Sequence, residues 1–487
     1  MCITSGTFPA AWKEVKVTPL HKGNSKTDKN NYRPISVLPV LSKIFERHLH
    51  NSLYAFLNDN DLLYQLQSAF RKHYSTETAL INIFDRMLFN LDDNRINGLV
   101  LADFQKAFDL VSHDILIEKL RIYGLDECSL GLIRSFLHNR RQRTVIRGSV
   151  QSSSQTLTHG VPQRSVLSSL LFLVFINDLP KGVSQPTTVD IFADDTTMSL
   201  SSPYTDTSGL CSKLCESTRE LENWSRNNRF KLNTKKTKSM FVTGSRLRTK
   251  IGGTSVDEMK IFTSKGEELD NTTSHKLLGV YVDQDLSFNE HVEQLCKKLI
   301  KRIGLLRSIR QYLPLNERIL FYNTTIKPVF LYGGTVWSST SKCKIRRIFR
   351  LQKRAARVIL GLKTRDERTI TLFKRLDWLP FYDEINVNKL CLLYKCLNGQ
   401  CPEYLGSRLV RVSDLSTRTS RYGAITIRCP RYNRDTEGGK TFLITAAKLW
   451  NSLPINIRSS TSINAFKQNL CNFIKQGYAG LDSFPIS

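Results

Sequence analysis

An unbroken apolar run, Leu99-Val100-Leu101-Ala102, follows Asn97-Gly98 and stops at Asp103, the pattern of a strand buried on both faces. Farther along, Val189 and Ile191 are answered by Met198 and Leu200 across Phe192-Ala193-Asp194-Asp195, which predicts a tight β-hairpin with adjacent acids at its turn. Over 166–179 apolar residues occupy every helical face, so that helix is expected to be sandwiched between layers. Short strands are predicted around Val15-Lys16-Val17, a helix over 41–58, and loops near 151–160 and 201–208. Beyond Asp285 the pattern becomes one of long basic amphipathic helices, then a loop-like basic stretch over 401–440 and two closing helices over 443–474. The most apolar run, 170–176, is far too short to span a bilayer.

The acids change this picture. A carboxylate at the end of a buried strand is costly unless paired, and the adjacent Asp194 and Asp195 repel each other. A hard divalent cation with oxygen ligands turns that repulsion into coordination. If the strand ending at Asp103 lies beside the hairpin, the three carboxylates converge as a two-metal nucleotidyl-transfer site requires. The plainer alternatives are a solvated turn for the pair and a helix-capping role for Asp103.

Charge points to a polyanionic partner. The net charge is +28, and residues 291–487 carry most of it, with 35 Lys and Arg against 12 Asp and Glu. Such a surface binds nucleic acid with strong salt dependence, and no lipidation motif favours a membrane instead. No acid occurs between Ser341 and Leu360, where Arg346, Arg350, Lys353 and Arg357 recur at helical spacing and Ile345, Ile348, Ala355 and Ile359 line another face. The helix is expected to track a nucleic-acid duplex; the alternative is a solvated face. The 11 cysteines include no zinc-knuckle spacing, and Cys391, Cys396 and Cys401 have no histidine among them. Reduced thiols and an intracellular location, nucleus or cytoplasm, are expected.

The motifs then match a family in order and spacing. Asp103-Phe104-Gln105-Lys106-Ala107-Phe108-Asp109 with His113, Gly160-Val161-Pro162-Gln163, and Phe192-Ala193-Asp194-Asp195-Thr196 resemble the palm motifs of reverse transcriptases. More narrowly, the chain resembles the jockey-type branch of non-LTR (LINE-type) retrotransposons, through Gly6-Thr7-Phe8-Pro9, Asn31-Tyr32-Arg33-Pro34-Ile35-Ser36, Gln67-Ser68-Ala69-Phe70-Arg71-Lys72, Asn233-Thr234-Lys235-Lys236 and His275-Lys276-Leu277-Leu278-Gly279-Val280.

The resemblance implies an α+β right-hand polymerase: fingers over 1–95, a palm with an antiparallel sheet over 96–284, a basic helical thumb over 285–365, and a helical C-terminal region over 366–487. It implies an RNA-directed DNA polymerase that uses two Mg²⁺ ions, with Mn²⁺ as a substitute, held by Asp103, Asp194 and Asp195. The partners would be an RNA template, a DNA primer or RNA–DNA duplex, and deoxynucleoside triphosphates. By the same resemblance Lys22 and Arg33 contact the triphosphate, Phe108 lies under the sugar, Gln163 approaches the template and incoming base, Lys236 protonates the leaving pyrophosphate, and 275–280 forms a primer-grip hairpin. An endonuclease region such as complete elements carry is expected to be lacking. This chain has Arg164 where relatives carry glycine, and Ser168-Ser169 where they carry Gly-Pro. Glycine beside a ligand at a helix start signals a positive φ or a close approach, so Arg164 is expected to intrude on the nucleotide pocket. That departure supports the second reading, an inactive element remnant that only binds RNA or DNA.

Overall fold

A computed structural model describes residues 5–478, apart from 24, 147–149, 252–257, 363–366 and 416–424. The apolar run of the sequence is the Arg95–Ala102 strand, buried from Ile96 onward at the middle of a five-stranded sheet. Its order is Asp270–Asn271, Lys238–Val242, Arg95–Ala102, Asp195–Pro203, Thr188–Phe192. The middle strand is antiparallel to both neighbours.

Two-residue alternation sends its side chains to opposite layers. Asn97 bonds Asn90 and the Met87 carbonyl on the Thr76–Asp92 helix. Gly98 faces the other way, where a Cβ would lie 2.4 Å from a methyl of Leu214 on the Thr207–Asn227 helix, so glycine leaves room for the leucines of that helix against the sheet. The expected sandwiched helix is Val166–Ile176, with Leu170 through Ile176 all buried.

The division into 1–95 and 96–284 does not separate the sheets. Glu14–His21 pairs antiparallel with Tyr32–Val37 and parallel with Arg141–Ile146, so a strand from the expected palm joins the N-terminal sheet. Conversely, the Thr76–Asp92 helix, expected in the fingers, packs on the central sheet. The loop expected at 201–208 begins later, because the strand continues to Pro203. Arg95 holds it there, donating to the Ser201 hydroxyl at 3.1 Å and carbonyl at 2.7 Å.

Toward the C-terminus, the Asn289–Ile309 helix packs against Lys342–Leu360. The two expected closing helices are three, Phe442–Asn451, Ile455–Arg458 and Ile463–Gly477, with Pro454 opening the short middle one. This region returns to the central sheet rather than trailing away. Buried Asp85, on the Thr76–Asp92 helix, accepts the Phe442 and Leu443 N–H groups at 2.7 and 3.1 Å, and one hydrophobic core runs from Phe8 to Leu470. Among the described residues no helix is long and apolar enough to cross a membrane.

Candidate active site

Strand register brings the acids together. Ala102 pairs with Thr196 on antiparallel strands, so the next residue along, Asp103, comes opposite Asp195. Phe192 pairs with Asp195 and leaves Ala193 and Asp194 as the turn, with Ala193 at φ 59°. Gln67, which is 1% exposed, steadies this turn: its Oε1 accepts from Ala69 N at 3.0 Å and Ala193 N at 3.2 Å, while Ser68 N donates to the Ile191 carbonyl at 2.8 Å. The sequence held Gln67 only as part of a motif, without a chemical role.

Proximity shows in the titration of the turn. Burial and repulsion from Asp103 raise the Asp194 carboxyl above the usual range, against the relief given by its own backbone N–H and by Arg33. Enclosure by the hairpin and repulsion from Asp194 and Asp103 push Asp195 up to about 6. Asp103 Oδ2 accepts from Asn233 Nδ2 at 3.1 Å and lies 4.0 Å from Nζ of the exposed Lys236. Among the described residues no three carboxylate, imidazole or thiol groups already stand as a ready-made metal cage. The donor set itself, all carboxylate oxygen, is the one a hard divalent cation takes.

The second motif packs beside the first. Gly160 adopts φ +83°, and a Cβ there would lie 2.7 Å from the Asp109 carbonyl, which makes glycine necessary where the segments touch. Gly160 N donates to Val111 O at 2.8 Å, Val161 N to Phe108 O at 2.9 Å, and Gln163 Nε2 to Asp109 Oδ1 at 3.0 Å. Half-buried Phe108 stacks on Phe172 at 4.2 Å and 15°, with Phe70 edge-on at 6.4 Å. Arg164 does keep the left-handed backbone, φ +67°, and it is exposed.

Glu46, invisible to motif reading, anchors the helix that follows. Fully buried, it accepts from the Ser42 hydroxyl at 2.6 Å, the Ser165 hydroxyl at 2.5 Å and Val166 N at 2.8 Å, placing a carboxylate on the N-terminus of Val166–Ile176. The only available signal was an acid on the buried face of the Val40–Asp59 helix, in line with Ser42, Leu53 and Leu57. Arg33 lies on the Tyr32–Val37 strand, and Lys22 at the end of the same hairpin, its N donating to Asn31 O at 2.8 Å; both side chains are exposed.

Residues 21–282, more than half the chain, match the reverse transcriptase (RNA-dependent DNA polymerase) family. The chain belongs to that family. Among curated proteins it is 30% identical to the probable RNA-directed DNA polymerase from transposon BS of Drosophila melanogaster over 72% of this chain and 39% of that protein. It is 28% identical to the RNA-directed DNA polymerase from mobile element jockey of the same fly over 85% and 45%, and 27% identical to the probable enzyme from transposon X-element over 78% and 41%. It therefore spans about two fifths of the length of these non-LTR relatives. Of solved structures, Candida tropicalis telomerase in complex with a telomeric RNA fragment aligns with a TM-score of 0.43 at 10% identity, over 95% of this chain and 64% of that one.

In this reverse transcriptase chain the basic helix spans Lys342–Leu360, as its spacing predicts, but its outermost charges differ in part from those expected. Arg346 and Arg350 are exposed together with Arg347 and Arg354, whereas Lys353 and Arg357 are partly covered. Lys353 lies 4.5 Å from the Phe349 ring, and burial, with Arg357 and Arg350 adding repulsion, lowers its pKa. The helix turns its apolar side, with Ile348, Ala355 and Ile359 buried, into the core. The hairpin Ser274–Leu277 and Val280–Asp283 forms as expected, with Tyr332 Oη donating to Leu278 O at 2.7 Å across its turn.

Proposed function

We propose that this chain is an RNA-directed DNA polymerase of a non-LTR retrotransposon, copying an RNA template by extending a DNA primer with deoxynucleoside triphosphates. The observation that carries the reading is the register that puts Asp103 opposite Asp195, one residue from Asp194, at the end of a buried sheet. In this reading Asp103, Asp194 and Asp195 hold two Mg²⁺ ions, or Mn²⁺ in their place, which when bound lower the pKa of the primer hydroxyl and neutralise charge on the phosphates. The primer 3′-hydroxyl attacks the α-phosphorus, the new phosphodiester forms, and pyrophosphate leaves.

The chain's own residues orient the reactants. Arg33, already close enough to Asp194 to affect its titration, binds the triphosphate with its planar fork, and Lys22 supplies a second cation. Phe108, held flat against Phe172, forms a floor under the sugar that has no room for a ribose 2′-hydroxyl. Gln163, tied to Asp109, faces the template and incoming base. Lys236, beside Asp103, gives a proton to the departing pyrophosphate. Arg346, Arg350, Lys353 and Arg357, joined by Arg347 and Arg354, bind the duplex backbone.

Template-directed incorporation of a labelled deoxynucleotide tests this reading, with Asp103→Asn expected to abolish it. A second reading, nucleic-acid binding without catalysis, draws on the exposed Arg346, Arg347, Arg350 and Arg354, which would bind a polyanion whether or not the carboxylates act. It predicts salt-sensitive binding in the same preparation and no incorporation.

A further inference from the structure

The C-terminal region reaches the supports of the carboxylate turn at two points only a few residues apart in sequence. Tyr404, on the Glu403–Gly406 helix and buried, has its hydroxyl 3.0 Å from the Ser68 hydroxyl and donates to Thr78 Oγ1 at 3.3 Å. Ser68 is the neighbour of Gln67, whose side chain accepts the Ala193 N–H of the turn. One turn of chain later, Arg408 Nη2 donates to Asn82 Oδ1 at 2.9 Å. The amide of Asn82, itself 1% exposed, passes that contact on by donating to Asp190 Oδ1 at 2.9 Å. Asp190 is on the Thr188–Phe192 strand that leads into the turn, and its other oxygen is paired with Arg86, which also donates to Ser199 at 3.2 Å on the returning strand.

The strand that enters the turn is thus braced through the Thr76–Asp92 helix by a segment that lies outside the matched family region, which ends at residue 282, and Arg86 ties that strand to the returning one. The charges facing Arg408 are Asp85, Arg86 and Asp190. Asp85 and Asp190 are buried and Arg408 is half-buried beside them, so movement of the segment would take a cation away from buried carboxylates.

We propose that Tyr404 and Arg408 are positioning residues for the carboxylate turn, and that the C-terminal region is in this way a working part of the polymerase site rather than an appended tail. The proposal rests on the polymerase reading for its consequence, since bracing the hairpin holds Asp194 and Asp195 where nucleotidyl transfer needs them. It does not rest on that reading for its structural content.

The test uses the full chain with Tyr404→Phe and Arg408→Gln, beside Arg408→Lys, which keeps a cation, and Phe466→Leu, which loosens the core around Tyr394 and Trp450 instead. The direct readout is deuterium exchange of the peptide covering 188–196. Exchange there is expected to quicken about tenfold in Tyr404→Phe and Arg408→Gln, the change expected from weakening one buried hydrogen bond, and to stay at the wild-type rate in Phe466→Leu. In primer extension the same two variants should lose about tenfold in kcat with an unchanged KM for deoxynucleotide, and Arg408→Lys should recover most of the loss. Unchanged exchange at 188–196 in both variants, or an equal rise in Phe466→Leu, overturns the proposal. If exchange rises as expected while the wild type extends no primer, the bracing stands and the polymerase reading fails.

Discussion

Gln67 accepts the Ala193 N–H at 3.2 Å, and through this bond a residue far away in sequence sets the shape of the turn that carries Asp194. The same oxygen accepts from Ala69 N, so Gln67→Leu strips two buried N–H groups of their partner while keeping the side-chain volume. A loss of about 1–3 kcal/mol is expected for unsatisfied buried donors. Urea unfolding measures it, and a variant as stable as the wild type would show that the turn holds itself.

Asp85 gives the fold a pH dependence. Burial pushes its carboxyl up to about 6, against the N–H bonds from Phe442 and Leu443 and the charges of Arg408 and Lys389. A carboxyl in the unfolded chain titrates near 3.9, so between about 4 and about 6 the native state keeps a proton that the unfolded chain releases. The stability contributed by Asp85 is therefore complete below that window and is lost as pH rises through it. The melting temperature of the wild type, taken relative to Asp85→Asn, should fall between about pH 4 and pH 7 and then level. A wild type that gains on the variant over that range contradicts the assignment.

Arg164 stands at φ +67° and is exposed. A left-handed backbone costs an L-residue roughly 1–2 kcal/mol, and glycine gives back about 0.5–1 kcal/mol through its freer unfolded chain. Arg164→Gly should therefore stabilise by about 0 to 1.5 kcal/mol, whereas Arg164→Val, β-branched at the same φ, should destabilise. Denaturant midpoints of the two variants separate backbone strain from any loss of arginine contacts.

The basic helix makes a prediction in salt. Arg350 is exposed on the outer face of Lys342–Leu360, so Arg350→Ala should weaken binding to an RNA–DNA duplex irrespective of its sequence and lower the slope of log affinity against log salt by about 1. Fluorescence anisotropy between low and moderate sodium chloride reads this slope. An unchanged slope would place the duplex elsewhere.

Patterns of local period were legible in the chain. The helix bounds at Lys342 and Leu360, the hairpin around Asp194, and the strand that stops before Asp103 all follow from apolar spacing. The convergence of Asp103 with the hairpin was legible as well, because a buried strand that ends in an acid calls for a partner. Pairings over long sequence separations were not. Arg141–Ile146 has no residue fully buried, so no apolar alternation announces a strand, and its pairings make it one: parallel with Glu14–His21 and antiparallel with the short Val150–Gln151 and Gln155–Thr156 strands. Glu46 and Gln67 likewise look like ordinary polar positions until Ser165 and Ala193 arrive beside them from distant segments. On the basic helix, spacing alone could not tell Lys353, lying over Phe349, from Arg354, which stands in solvent.

The most direct test of the account is extension of a DNA primer on an RNA template by the full chain in the presence of Mg²⁺, with Asp194→Asn alongside. The account predicts extension by the wild type that stops when Mg²⁺ is chelated and is absent from Asp194→Asn, while both proteins bind the duplex equally well. Duplex binding without extension by the wild type, or extension that survives in Asp194→Asn, would contradict it.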